Sequence, residues 1–273
     1  MKIERVWAMY WSATGTTEKV VRVVAEALAG KLGLEVETYD FTLPAARQGQ
    51  PEFRDTDAVV FGTPTYAGRV PNVLLKYLDT LSGHGAAAVP VVTYGNRNFD
   101  DSLVELRDIL ADHGFRPLAA GAFVGEHSFS TTLAAGRPDA EDLALARQLG
   151  ERAAEKLAAA GPDSPEVEVE GTPKPYRGYY QPRDRAGAPV NILKVKPLTS
   201  EACDKCGLCV KVCPMGSISA EDPAQYVGIC IKCGACVKKC PVGAKYYDDA
   251  GYLYHKTELE EGYARRGEDR VFL

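Results

Sequence analysis

No cysteine occurs outside the stretch from Cys203 to Cys240, and all eight cysteines of the chain lie within it. No run of 18 apolar residues occurs either, so nothing is predicted to insert into a membrane. There is no excess of positive charge. The net charge is −5, which gives no general attraction to nucleic acid or to anionic lipid. The N-terminal MKIERVWAMYW has no signal-peptide core, because Glu4 and Arg5 break it and no small-residue cleavage site follows. A cytoplasmic, reducing location is therefore expected, where cysteines bind metal more readily than they pair. What the chain does have is ordinary globular stuff: 45% hydrophobic and 25% charged residues over 273 positions. That length suits one large domain and one small one.

Residues 1–160 alternate apolar strands with helical stretches. Strands are predicted at Ile3–Trp11, Leu34–Thr42, Asp57–Thr63, Ala87–Tyr94 and Pro117–Val124. Helices are predicted at Thr16–Lys31, Val73–Leu81, Asp100–His113 and Ala140–Ala160, with Gly114 and Gly161 as stops. Such alternation implies a parallel sheet covered by helices on both faces. Residues 161–198 are proline-rich and carry little apolar periodicity, which reads as an extended linker. Pro162, Pro165, Pro173, Pro175, Pro182 and Pro189 punctuate it, and Tyr176, Tyr179 and Tyr180 are candidates to pack on a domain surface. Residues 199–250 hold the cysteines, and 251–273 read as a mixed-charge surface extension.

The cysteine segment repeats itself. CDKCGLCVKVCP at 203–214 and CIKCGACVKKCP at 230–241 match at nine of twelve positions, offset by 27 residues. Each is C-x2-C-x2-C-x3-C-P. Three close thiolates let one loop wrap three corners of an iron–sulfur cube, with Gly207 and Gly234 in the tight turns. The fourth cysteine sits too far round and ligates the other cluster. Cys203, Cys206, Cys209 and Cys240 then form one set, and Cys230, Cys233, Cys236 and Cys213 the second. Zinc is the alternative, but structural zinc favours two separated C-x2-C pairs or cysteine with histidine, and neither repeat contains histidine. A segment of this size also needs such a staple in place of a core. Over about residues 199–250 it resembles the bacterial two-cluster ferredoxins. The resemblance implies a small α+β domain with two 4Fe-4S clusters acting as one-electron carriers.

Three loops in the first domain end strands. Ser12-Ala13-Thr14-Gly15-Thr16-Thr17 runs into a helix, with hydroxyls, a glycine and free N–H groups suited to a phosphate. It has neither the Walker A nor the G-x-G-x-x-G pattern; a threonine-rich helix cap is the alternative. Pro64, Thr65, Tyr66, Ala67 and Gly68 follow the third strand. Tyr94, Gly95, Asn96, Arg97 and Phe99 follow the fourth. Both lie at C-terminal strand ends, where ligands of such sheets bind. Over residues 3–160 the chain resembles the flavodoxins. That implies a doubly wound sheet of order 2-1-3-4-5, an FMN phosphate in the first loop and the isoalloxazine between the other two. Where many flavodoxins place a tryptophan in the first ring loop, this chain offers Tyr66; Trp11 reads as core. Arg69 and Arg97 either stand beside the flavin or point away to solvent or to the ferredoxin segment.

The whole chain resembles flavodoxin–ferredoxin fusion proteins of anaerobic bacteria and archaea. The segment Gly125-Glu126-His127-Ser128-Phe129 also resembles that group, although His127 itself reads as a loop histidine bonded to backbone. His84, His113 and His255 show no metal or triad spacing. The expected function is electron transfer between clusters and FMN, joining one- and two-electron carriers, with redox proteins (ferredoxin or oxidoreductases) as partners and a homodimer allowed. The alternative is a flavin-dependent reductase of a quinone or similar acceptor, fed through its clusters. A redox sensor finds no supporting segment.

Overall fold

Alternate residues of the first strand enter two different cores. Trp7 and Met9 face one way and Val6, Ala8 and Tyr10 the other, all buried. A strand buried on both faces has to be apolar along its whole length, which is why these strands stand out in the sequence. The computed structural model describes residues 1–161 and 163–273, so Pro162 of the linker lies outside the described residues.

The strands are β1 (Arg5–Tyr10), β2 (Val36–Asp40), β3 (Asp57–Pro64), β4 (Ala87–Tyr94), β5 (Arg116–Pro117) and β6 (Ala120–Val124). They pair in parallel in the order β2-β1-β3-β4-β6, with β5 also on β4. The expected fifth strand is thus split in two, with Leu118 and Ala119 between the pieces. Pro117 has no N–H to give at this point. Helices α1 (Thr16–Leu32) and α4 (Ala140–Ala159) cover one face. Helices α2 (Asn72–Leu78) and α3 (Ser102–Asp112) cover the other. The sheet is therefore the expected flavodoxin-like one, with additions at its far edge.

One addition is the C-terminal tail, expected to be a surface extension. It forms a helix at Ala250–Gly262 and then strand β9 (Arg270–Phe272), which pairs antiparallel with β6. Asp269 fixes the join by accepting a hydrogen bond from Val124 N–H at 2.7 Å. The linker covers the neighbouring edge, where Val167 N–H donates to Pro117 O at 2.9 Å. The edge groups of β6 and the carbonyl of Pro117 are thus paired within the chain.

The linker is extended but attached. The fully buried Asp101 carboxylate accepts the N–H groups of Thr172 and Arg177, each at 2.9 Å. Burial alone would raise this carboxyl, but those two N–H groups and the Arg177 charge hold it below its usual range. Tyr176 donates to Asp108 at 2.7 Å, and Tyr180 N–H to Ala67 O at 2.8 Å. The three tyrosines thus pack as the sequence allowed, on the large domain.

The cysteine segment has the two-fold likeness its repeat predicts. Short helices at Leu208–Lys211 and Ala235–Lys238 each begin after a left-handed glycine, Gly207 or Gly234. Strands β7 (Leu198–Thr199) and β8 (Lys245–Tyr246) pair antiparallel beside them.

Asp101→Ala removes the acceptor for two backbone donors, a loss of about 1–3 kcal/mol for groups left unpaired. Denaturant unfolding should show that loss, and limited proteolysis should cut residues 171–180 faster than in the unaltered chain. Unchanged cleavage would mean that the strap does not depend on Asp101.

Candidate functional site

Helix α1 begins at Gly15, whose φ of 95° leaves the turn without a side-chain cap. The N–H groups of Thr16 and Thr17 head the helix, where an anion is favoured. Ser12 does not face this space: its hydroxyl accepts Glu18 N–H at 3.0 Å. Lys19 turns away to Pro138 O at 2.8 Å, so hydroxyls and amides alone make the cradle.

A pocket of about 480 Å³ opens over these atoms. Of the residues expected at the flavin, Thr14, Thr16, Thr17, Pro64, Thr65, Tyr66, Tyr94 and Gly95 line it. Tyr66 stands edge-on to the buried Trp11, with ring centres 5.8 Å apart. Burial, then the Cys233 and Cys230 charges, pushes its phenol well up, so it stays neutral.

The other expected residues are occupied elsewhere. The Asn96 side chain donates to Tyr263 O at 2.6 Å and Arg265 O at 2.7 Å, and accepts Gly267 N–H at 2.9 Å. It holds the C-terminal tail. Gly68 packs on Asp100, where a Cβ would lie 2.4 Å from the carboxylate oxygen. Ala67 gives its carbonyl to the linker, and Phe99 packs on Tyr94 at 5.6 Å. Neither arginine faces the pocket. Arg97 pairs with Asp100 and lies 4.5 Å over the Tyr180 ring. Arg69 is bound by Glu105 at 2.6 Å, between the rings of Tyr176 and Tyr179. The reading of a cation beside the flavin therefore gives way to one of cations fastening the linker.

The pocket also takes in Ala13, Thr93, Gly125, Glu126, His127, Ser128 and Cys233, which the sequence did not assign to the flavin. Four of these follow β6, and the strand-end rule that found the other loops would have found them. His127 is bonded to backbone as expected, its Nδ1 accepting Phe129 N–H at 3.1 Å. That bond leaves the proton of a neutral ring on Nε2. Burial, with Lys238, His255 and Arg97 nearby, pushes the imidazole down to about 4. Gly95 makes room for it, since a Cβ there would fall 2.3 Å from the ring.

Cys233 comes from the cysteine domain, and it lines a second cavity as well. That cavity, about 340 Å³, collects Cys213, Cys230, Cys233 and Cys236, which is the second crossed set. Of the first set, Cys209 is buried, Cys203 and Cys240 are half-buried and Cys206 is exposed. Among the described residues no group of three His, Cys, Asp or Glu side chains could hold a single metal ion. Four thiols from both repeats line the one cavity, as the crossed ligand set requires. Burial pushes the Cys233 and Cys236 thiols up to about 12. Only strong positive charge, such as iron supplies, keeps such thiols ionised. The N–H groups of Thr16 and Thr17 at the helix start and the hydroxyl cradle fit a phosphate equally well.

The seam between the two spaces is tight. A Cβ on Gly234 would lie 2.5 Å from Ser128 O. Lys238 pairs with Glu126 and donates to Ser130 O at 2.8 Å. Arg47 donates to Pro214 O at 2.7 Å. Cys233 and Ala235 are buried in the same core as Trp11 and Phe61.

Residues 8–125 match the family model of a flavodoxin domain, and residues 202–245 that of a 4Fe-4S dicluster domain. Among solved structures the chain is similar to a flavodoxin from the domain Archaea, at 14% identity over 57% of this chain and 99% of that one, with a TM-score of 0.43. It is similar to rubredoxin oxygen:oxidoreductase from the anaerobe Desulfovibrio gigas at 19% identity, over 58% of this chain and 38% of that one, with a TM-score of 0.40. Oxidised flavodoxin 2 from Bacillus cereus gives 15% identity, 57% and 99% coverage, and a TM-score of 0.40.

Gly95→Ala should drive the His127 ring into the pocket and weaken FMN binding about tenfold, ~1.4 kcal/mol. Fluorescence titration of the flavin-free chain with FMN measures this. Unaltered affinity would mean that FMN does not sit against Gly95 and His127.

Proposed function

We propose, on the premise that this chain joins a flavodoxin domain to a 4Fe-4S dicluster domain, that it passes electrons between two clusters and FMN within one molecule. A flavodoxin domain implies FMN and a dicluster domain implies iron–sulfur clusters, so the role in electron transfer follows from both halves. FMN when bound supplies one- or two-electron chemistry, and clusters supply single electrons.

Thr14, Thr16 and Thr17, with the first N–H groups of α1, would hold the phosphate. Tyr66, Tyr94 and Gly95 would flank the ring. Cys213, Cys230, Cys233 and Cys236 would hold the cluster on the flavin side. Cys203, Cys206, Cys209 and Cys240 would hold the other, where the exposed Cys206 faces a redox partner. One observation carries the reading: Cys233 lines both the pocket and the cavity. A single side chain thus borders both spaces. The same contact favours a carrier over a reductase, because the cysteine domain forms part of the pocket wall that a small acceptor would need. Among the described residues no helix is long and apolar enough to cross a membrane, and the partners we propose are redox proteins.

Rapid photoreduction of the clusters, followed by absorbance at the flavin, tests the proposal. Flavin reduction should be first order, with a rate independent of protein concentration. A rate that climbs linearly with concentration would remove the junction role. Gly234→Ala, whose Cβ would meet Ser128 O at 2.5 Å and force the seam apart, should slow the transfer.

A further inference from the structure

Two hydroxyl groups beside the second cysteine loop have nothing to bond. The phenol oxygens of Tyr226 and Tyr247 are buried and have no hydrogen-bond partner among the described residues. Both side chains line the cavity that collects Cys213, Cys230, Cys233 and Cys236. Each ring is braced. Tyr247 stacks on Tyr252 with ring centres 3.9 Å apart. Lys196 and Lys245 lie over the Tyr226 ring at 5.3 and 5.1 Å. An ordinary phenol keeps its proton at neutral pH, so each oxygen remains a donor. A buried donor is rarely left unpaired, because its lost hydration is not recovered. Sulfur is the acceptor that this cavity supplies.

We propose that Tyr226 and Tyr247 donate O–H···S hydrogen bonds to the cluster that Cys213, Cys230, Cys233 and Cys236 would hold, and thereby raise its potential. The inference rests on the two-cluster reading above and deepens it. Donors to cluster sulfur draw charge from the cluster and stabilise the reduced, more negative form.

The internal repeat supplies a comparison. The 27-residue offset places Thr199 and Ala220 opposite Tyr226 and Tyr247. That offset holds in space, for Thr199 pairs with Lys245 as Tyr226 pairs with Ile218. Thr199 also carries a buried hydroxyl without a partner among the described residues, but it lies outside this cavity, and Ala220 has no donor at all. The two cluster sites thus differ in their phenols. The phenols mark the one that shares Cys233 with the flavin pocket, and an electron there is held more firmly than it would be without them.

The test uses the full chain, purified anaerobically, with iron and acid-labile sulfide measured first. Two clusters require about eight of each. The double variant Tyr226→Phe, Tyr247→Phe removes two oxygens and keeps both rings. In the reduced protein after exchange into deuterium oxide, pulsed electron–nuclear double resonance should show phenol deuterons coupled to one cluster, in addition to amide deuterons such as that of Ser217 on Cys213 Sγ. The double variant should lose the phenol couplings and keep the amide ones. The potential of the same cluster should fall, its reduction equilibrium constant dropping about tenfold, which is about 59 mV for one electron. The other cluster should keep its potential. A deuteron spectrum unchanged in the variant, or two unchanged potentials, overturns the proposal while leaving the two-cluster reading intact. Iron and sulfide short of two clusters in the unaltered protein overturns that reading, and this proposal with it.

Discussion

Gly234 and the carbonyl of Ser128 stand so close that no other residue fits at Gly234 without moving one of them. This contact decides where the second cysteine loop can lie. Once Gly234 is against Ser128, Cys233 turns into the wall of the flavin pocket and Ala235 enters the large domain's core. Lys238, one turn later, reaches Glu126 and Ser130 O on the same loop after β6. The first repeat has no such neighbour. Its glycine, Gly207, would meet nothing within 4 Å if it carried a Cβ. Two nearly identical loops therefore have different surroundings: Gly234 is sealed in the interface and Gly207 is not, although the first repeat touches the large domain further on through Val212 and Pro214.

The small domain also solves a stability problem through this interface. About 50 residues bury too little apolar surface to hold themselves together. Here Val212 and Ile231 pack against the large domain's core, beside the buried Cys233 and Ala235. The chain reinforces the arrangement from both sides of the cysteines. Before them, residues 161–198 are fastened by Asp101, Asp108, Arg69 and Arg97. After them, the tail runs past Asn96 and ends as a strand on β6. The cysteine domain is thus held at its entry, at its exit and along its face. A proline-rich tether would merely keep it nearby.

Much of this was legible in the sequence, and the reason is locality. The cysteine spacing encodes ligand geometry within twelve residues, so the crossed set of Cys213 with Cys230, Cys233 and Cys236 could be written down beforehand. Strands buried on both faces announce themselves as apolar runs, and Ala87–Tyr94 falls where it was expected. What stayed hidden depends on distant pairing. Nothing in Arg270–Phe272 says that it will join Ala120–Ala122, which lie far back in the chain. Asn96 was assigned to the ring loop by its position, but its amide serves the tail. Arg69 and Arg97 look like residues placed near a ligand until the linker tyrosines are seen lying on them. Cys233 enters the pocket only because the two domains dock.

The central claim is that cluster and flavin sites have a fixed separation, set by a packed seam and not by encounters on a tether. Electron arrival at the flavin after photoreduction, measured in sucrose solutions of rising viscosity, tests it most directly. A docked pair needs no domain motion, so the account predicts one first-order rate that does not change with viscosity. A rate that falls in proportion to viscosity would contradict it, because the domains would then have to diffuse together before each transfer.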